Sequence, residues 1–219
     1  MATIRNICFH GVGTPARAID DAEARYWVSR DSYLRILDEL ATWPAVHLSF
    51  DDGNASDLEL AAPALVERGL RATFFVLAGR LDTPGSLASD QVRELRRLGM
   101  DVGTHGMDHV SWRSMTPEVR ERELVEARAI IADLAGDVRE AALPRGQYDR
   151  TVLGWLRRLG YLRVHTSDRR PARADAWIQP RFSVTRDDTP ATLVGSVLRP
   201  RPAHQRLLLE AKGLAKRLR

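Results

Sequence analysis

Short apolar runs alternate with longer amphipathic stretches through most of the chain, and this alternation predicts the fold. Ala45 to Phe50, Ala72 to Val76, Asp101 to Thr104 and Glu140 to Leu143 are short, apolar and bounded by turn residues, so they read as strands. Ile4 to Phe9 opens the chain as another strand, and a late one carries Arg181 within Gln179-Pro180-Arg181-Phe182-Ser183-Val184. Asp57 to Arg68, Ser89 to Leu98, Thr116 to Leu134 and Arg150 to Leu159 read as helices, with Thr116-Pro117-Glu118 as a start signal. Strand and helix in regular succession predict an α/β protein with parallel strands, closed into a barrel with its site on one rim. At 219 residues the chain is long enough for one such domain with a core and too short for two comfortable ones. The expected organisation is a barrel over residues 1–198 and a basic amphipathic tail or helix over 199–219.

Charge supports that division. The chain carries a net +4, but Arg199 to Arg219 holds seven basic side chains against one acid, which leaves the rest slightly acidic. Basicity confined to a tail argues against nucleic-acid binding by the barrel. On a helix, Leu207, Ala211, Leu214 and Leu218 would form one stripe, with Arg206, Lys212, Lys216, Arg217 and Arg219 elsewhere. That pattern suits peripheral contact with an anionic membrane surface; a frayed or core-docked terminal helix is the competing reading. No run is long and apolar enough to span a bilayer, and Met1 to Arg5 lead straight into a strand without a signal peptide. The expectation is a cytoplasmic protein, with any membrane contact at the inner face. Cys8 stands alone, which excludes an intramolecular disulfide framework and suggests a packed thiol. There are no internal repeats; Gly79 to Ser89 and Arg169 to Asp175 are the connections expected to move.

The chemistry concentrates at two strand ends. Asp51 and Asp52 close the run Val46 to Phe50, where Gly53 breaks it, and His105 and His109 follow Met100 to Thr104. Each motif alone has a plain structural reading: Asp-Asp-Gly as a turn or helix cap, the histidines as surface or core imidazoles. Both follow strand-like runs, however, so both should open on the same rim. Two imidazoles and one carboxylate would suit a zinc-like divalent ion, leaving the second carboxylate free as a base.

These residues resemble the polysaccharide deacetylases, metal-dependent N-deacetylases of the fourth carbohydrate esterase family. Ser49-Phe50-Asp51-Asp52-Gly53 is similar to the family's first motif and His105-Gly106-Met107-Asp108-His109 to its second, and Ala72 to Val76 looks like the strand between them. The resemblance implies a distorted, incomplete (β/α) barrel of about seven parallel strands. It also implies that Asp52, His105 and His109 bind the metal, zinc first with cobalt or nickel as alternatives, and that Asp51 is the general base. The third motif usually reads Arg, any residue, Pro, any residue, Gly; here it is Ala142-Leu143-Pro144-Arg145-Gly146, followed by Gln147-Tyr148. The base-orienting Arg is therefore absent, and Arg181 is the candidate replacement. Pro144 and Gly146 still match, and the backbone N–H of Arg145 is the implied oxyanion donor.

The family's C-terminal histidine motif is missing, since His204 lies in the basic tail. His10, at the end of the first strand, resembles that motif moved to the N-terminus, as in the poly-N-acetylglucosamine deacetylase branch. It is the candidate general acid; a strand-end histidine bonded to a loop is the alternative. Asp168 and Trp177 bracket a stretch where the family shapes its acetyl pocket, although Trp177 could equally be a buried core residue. Trp112 could stack on a sugar face or cap the core. The expected activity is hydrolysis of the acetamide of an N-acetylated amino sugar, free, nucleotide-linked or lipid-linked. A catalytically weak carbohydrate-binding relative and a membrane-associated scaffold are the alternatives from other classes.

Overall fold

The computed structural model describes residues 2–199 and 202–218, apart from the side chains of residues 203–206, 212, 217 and 218. Eight strands are formed: β1 Thr3–Phe9, β2 Val46–Asp52, β3 Ala72–Val76, β4 Asp101–Thr104, β5 Glu140–Ala142, β6 Arg163–Thr166, β7 Ala172–Arg173 and β8 Ile178–Ser183. Seven of them close a ring in the order β1-β2-β3-β4-β5-β6-β8, with every neighbouring pair parallel. The ring is one strand short of a full eight-stranded barrel, which is the sense in which it is incomplete. Its weakest seam joins β4 to β5 through a single pair, Thr104 with Ala141. The short β7 runs antiparallel along the start of β1, inside the stretch expected to be a connection.

Alternation along the strands explains the layering. Ile7, Phe9, Leu48, Phe50, Phe74 and Val76 pack outward into one apolar cluster with Tyr33, Ile36, Leu37, Leu65, Leu95 and Ile131 from the covering helices. Phe50 stacks on Phe9 at 5.3 Å and on Phe74 at 4.8 Å between ring centres. Burying a side chain of this kind contributes about 1.5–3 kcal/mol. The intervening residues turn into the barrel, where Asn6 bonds Gln179, Ser49 bonds Arg181, and Asp51 lies buried. Outer strand faces are therefore mainly apolar, while the barrel interior is largely polar, with Phe75 and Cys8 among its buried side chains.

The helices α1 Asp21–Ala24, α2 Arg30–Leu40, α3 Ala62–Glu67, α4 Ser89–Arg97, α5 Pro117–Glu121, α6 Ala127–Ala135, α7 Arg150–Arg158, α8 Pro190–Leu193 and α9 Ala203–Leu218 surround the strands. Thr116 caps α5 by accepting from the Val119 N–H, as its position predicts. A π-helical turn, Arg122–Glu126, joins α5 to α6. The sequence pattern had not indicated α2, which Ser29 caps and which buries Tyr33, Ile36, Leu37 and Leu40.

The terminal helix α9 lies against the barrel. Gly213 is buried, and Lys216 Nζ reaches Asp168 at 2.7 Å. Leu207, Ala211 and Leu214 of the expected stripe are exposed. Leu218 and the basic Arg206, Lys212 and Arg217 have side chains outside the described residues, as does His204, and Arg219 lies outside them altogether. No helix of the described residues is long and apolar enough to cross a membrane.

Candidate metal centre

Asp51 and Asp52 are the last two residues of β2, paired in register with Phe75 and Val76 of β3, and both are buried. Asp52 has φ 81°, a conformation that aspartate tolerates better than most residues but that still costs energy. His109 and Arg145 share this left-handed backbone, with φ 57° and 56°. Three of the sequence-predicted site residues therefore sit on backbone held by its surroundings.

His105 follows β4, and its N–H donates to the Val76 carbonyl at 2.8 Å. Its Nδ1 lies 2.9 Å from the Ala142 carbonyl, which can only accept, so the proton is on Nδ1 and the Nε2 lone pair is free. That Nε2 is 3.6 Å from Asp52 Oδ1, and His109 Nε2 is also 3.6 Å from the same oxygen. The three ligand atoms lie within 4.8 Å of one another, and Asp52 Oδ1 is buried without a hydrogen-bond partner. An unsatisfied carboxylate oxygen facing two imidazole nitrogens fits a small divalent cation bound at about 2.0–2.2 Å from each. Burial, with His105 adding to it, lowers the His109 pKa to about 4 against the opposing pull of Asp52. Burial would raise the Asp52 carboxyl, but His10, His105 and His109 outweigh it and hold the group below its ordinary value. Neutral imidazole and ionised carboxylate are the forms that ligate metal.

The loop between the histidines is held by a residue the sequence reading passed over. Glu123, buried in the π turn, accepts from the Met107 N–H at 2.9 Å, the Asp108 N–H at 3.0 Å and Trp112 Nε1 at 3.2 Å. A Cβ at Gly106, where φ is 88°, would meet Glu123 Oε2 at 2.3 Å, so this contact requires glycine there. A signal was available: Ala127 and Ile131, four and eight residues on, are both buried, which puts Glu123 on an apolar helix face.

Asp51 is gripped from across the barrel. Arg181 of β8 donates to Asp51 Oδ1 at 2.6 Å and Oδ2 at 2.7 Å, and to Ser49 Oγ at 3.0 Å. A guanidinium from β8 thus pairs with Asp51, where Ala142 of the third motif offers no cation. Burial pushes the Asp51 carboxyl up, yet Arg181 and then His105 outweigh it and hold it well below the usual carboxylate range. His10 stands on the other side: His10, Cys8 and Asp51 bring one polar atom each within 4.8 Å of one another. Its ring stacks on Tyr26 at 4.7 Å, and its Nδ1 is buried without a partner. Burial lowers its pKa, against the raising influence of Asp52 and Asp51.

Pro144–Gly146 forms a tight turn, in which the Gly146 and Gln147 N–H groups donate to the carbonyls of Leu143 and Pro144. Neither bond uses the N–H of Arg145, whose side chain is exposed. Tyr148 is buried, and its hydroxyl donates to Asp168 Oδ2 at 2.7 Å; Thr166 and Lys216 also bond that carboxylate. Lys216 comes from α9, and no sequence signal tied it to this corner.

For two aromatic residues the structure favours the core alternative over the sugar-facing or acetyl-pocket one. Trp112 is fully buried, and its indole N–H is engaged by Glu123, so it packs under the loop and offers no face to a sugar. Trp177 precedes β8, at the opposite end of the barrel from the strand termini that carry Asp52 and His105. Its Nε1 bonds the Tyr161 carbonyl, and Arg157 covers its ring. Its position at a strand start keeps it from any acetyl pocket at the rim.

The sequence model described as polysaccharide deacetylase matches residues 41–164. YxkH of Bacillus subtilis, a protein named as a polysaccharide deacetylase, is 24% identical over 117 residues, which are 53% of this chain and 42% of that one. The matched stretch therefore spans less than half of that curated relative. Among solved structures, the Streptococcus pyogenes deacetylase PplD in complex with acetate superposes with a TM-score of 0.78 at 20% identity, covering 91% of this chain and 99% of that one. IcaB from Ammonifex degensii has a TM-score of 0.69 at 24% identity, covering 84% and 93%. A de-N-acetylase from Aggregatibacter actinomycetemcomitans has a TM-score of 0.73 at 17% identity, covering 89% and 99%. At these identities the structures share the fold with this chain.

Proposed function

Because the chain belongs to the polysaccharide deacetylase family, we propose that it is a metal-dependent N-deacetylase, hydrolysing the acetamide of an N-acetylated amino sugar to acetate and a free amine. The reading rests on one observation above all: Asp52 Oδ1 has no partner between two imidazole nitrogens, while the neighbouring Asp51 is paired separately with Arg181. Asp52, His105 and His109 would hold the cation, zinc fitting the donor set best and cobalt or nickel also suiting it. Such an ion supplies Lewis acidity toward the amide carbonyl and lowers the pKa of bound water.

The protein's own groups carry the proton transfers. Asp51, ionised and oriented by Arg181, accepts a proton from the attacking water as its oxygen bonds to the carbonyl carbon. The Arg145 N–H, outside the turn's own bonding, donates to the developing oxyanion. His10, close to Asp51 and drawn toward its protonated form by the Asp52 and Asp51 carboxylates against the effect of burial, delivers a proton to the nitrogen as the carbon–nitrogen bond breaks. Tyr148 and Asp168, linked by their hydrogen bond, shape the neighbouring corner.

The test is acetate release, followed by mass spectrometry, from free, nucleotide-linked and lipid-linked N-acetylhexosamines. Activity should vanish on chelation and return with zinc, cobalt or nickel. Survival of activity through both thorough chelation and Asp51→Asn would overturn the mechanism. The altered third motif favours a second reading, a carbohydrate-binding relative with little turnover. Metal and glycan binding without acetate release would support it; the Arg181–Asp51 pair, which supplies the missing cation from another strand, weighs against it.

A further inference from the structure

A cavity of about 930 Å³ lies away from the metal centre, between the outer face of β1 and β8, the turn Val194–Leu198 and α9. Thr3, Arg5 and Ile178 line it, residues at the starts of strands whose opposite ends lead to His10 and Ser183. Five arginines face it, Arg5, Arg157, Arg170, Arg173 and Arg199, against one acid, Glu210. Arg173 is paired with Asp175, and Arg157 rests on the Trp177 ring at 4.1 Å. Arg5, Arg170 and Arg199 form no salt bridge among the described residues, and the Nε atoms of Arg5 and Arg170 are buried without a hydrogen-bond partner. A guanidinium Nε held out of water without an acceptor carries a desolvation cost that a bound anion would offset.

The rest of the wall is apolar, with Trp177, Ile178, Phe182, Val197 and Leu209. A ligand matching both parts carries an anionic head and a hydrocarbon body. The rim favours a ligand embedded in a bilayer: next to Leu209 on α9, Leu207 and Leu208 are 66% and 56% exposed. Exposed leucines beside cationic side chains are the elements of an interfacial helix. We propose that this cavity takes the phosphate headgroup of an anionic phospholipid, with Arg5 and Arg170 as its ligands, and thereby seats α9 on a membrane surface. The site is separate from the deacetylation chemistry, so each can fail without the other.

The experiment is co-sedimentation of the full chain with phosphatidylcholine vesicles, with and without phosphatidylglycerol, and with sn-glycerol-1-phosphate as a soluble competitor. Binding should require phosphatidylglycerol. Arg5→Gln with Arg170→Gln, which keeps much of each side chain's packing, should weaken it by about thirtyfold, the loss expected for two basic contacts at the surface. Leu207→Ser with Leu208→Ser, on the exposed face of α9, should also release the protein and guards against misfolding of the arginine variant, whose Tm is checked in parallel. Equal binding to pure phosphatidylcholine, unchanged binding of the arginine variant, or occupation of the arginines by glycerol phosphate without vesicle binding would each overturn the proposal.

Discussion

Two histidine-carboxylate-arginine clusters lie inside this barrel, and they differ in how their polar atoms are used. Toward the strand starts, Glu140 accepts from His165 at 2.8 Å and from Arg163 at 3.0 Å, while His47 lies 3.3 Å from Thr73 Oγ1 and stacks on His165 at 5.8 Å. Both oxygens of Glu140 are engaged. At the strand ends, both oxygens of Asp51 are likewise engaged by Arg181, but Asp52 keeps an oxygen without a partner amid two imidazole nitrogens. In the inner cluster the carboxylate is closed by its partners and only imidazole Nδ1 atoms, of His47 and His165, stay buried without one, so it reads as structural. The rim cluster leaves lone pairs converging on one point, which is what a cation needs. Residue type alone does not separate a metal centre from a buried polar network; a carboxylate oxygen left open toward two imidazole nitrogens does.

The sharpest way to break this contrast is at the rim. Asp52→Ala should abolish stoichiometric metal binding and acetate release together, whereas Asp51→Asn should keep the metal and lower kcat by about 10²–10⁴-fold. Metal content and steady-state kinetics on the same samples decide it; Asp51→Asn protein without metal would show that the two carboxylates are not divided as described. Next in size is Arg181→Met, which leaves Asp51 charged and unpaired inside the barrel. Unfolding in urea should show a loss of about 3–5 kcal/mol, and the acid limb of the activity profile should move to higher pH as Asp51 loses the cation that holds its pKa down.

The inner cluster provides the third test. Burial, with His165 adding to it, lowers His47 from 6.5 to about 4. Between those values the unfolded chain binds a proton that the native protein refuses. Stability is therefore intact above pH 6.5 and falls as pH drops toward 4, by up to about 3 kcal/mol from this residue. Denaturation at stepped pH should show a shallower decline in His47→Gln; an unchanged slope would mean that His47 is protonated in the native state. The smallest effect is expected from Glu123→Ala. Releasing the loop between His105 and His109 should weaken metal affinity by about 10–100-fold, as for other groups that orient ligands, with partial recovery in Glu123→Gln. Competition against a chromogenic chelator reads this directly.

Much of the scaffold could be read along the chain because its signals are local. Ala72–Val76 and Asp101–Thr104 have the predicted bounds, and α4 and α7 depart by one residue, since short apolar runs, a capping aspartate and glycine after each helix act within a few positions. The helix α2 escaped because Arg30–Leu40 is studded with charge and its apolar face, Tyr33, Ile36, Leu37 and Leu40, shows only once the spacing is wound into a helix. Trp112 and Trp177 kept two readings along the chain for a related reason: an indole's surroundings, unlike its size, depend on which layers close over it.

By itself, the sequence determined the parallel α/β ring, the placing of Asp51, Asp52, His105 and His109 at strand ends, and the loss of the arginine from the third motif. These depend on residue type and on distances along the chain. Only the tertiary structure decided that Arg181 grips Asp51, that Glu123 holds the histidine loop, that Lys216 reaches Asp168 from the last helix, and that Asp52 is left with an open oxygen. Each of these joins residues from different elements, and a hydrogen bond or its absence is fixed by separations of a few tenths of an ångström that barrel closure sets.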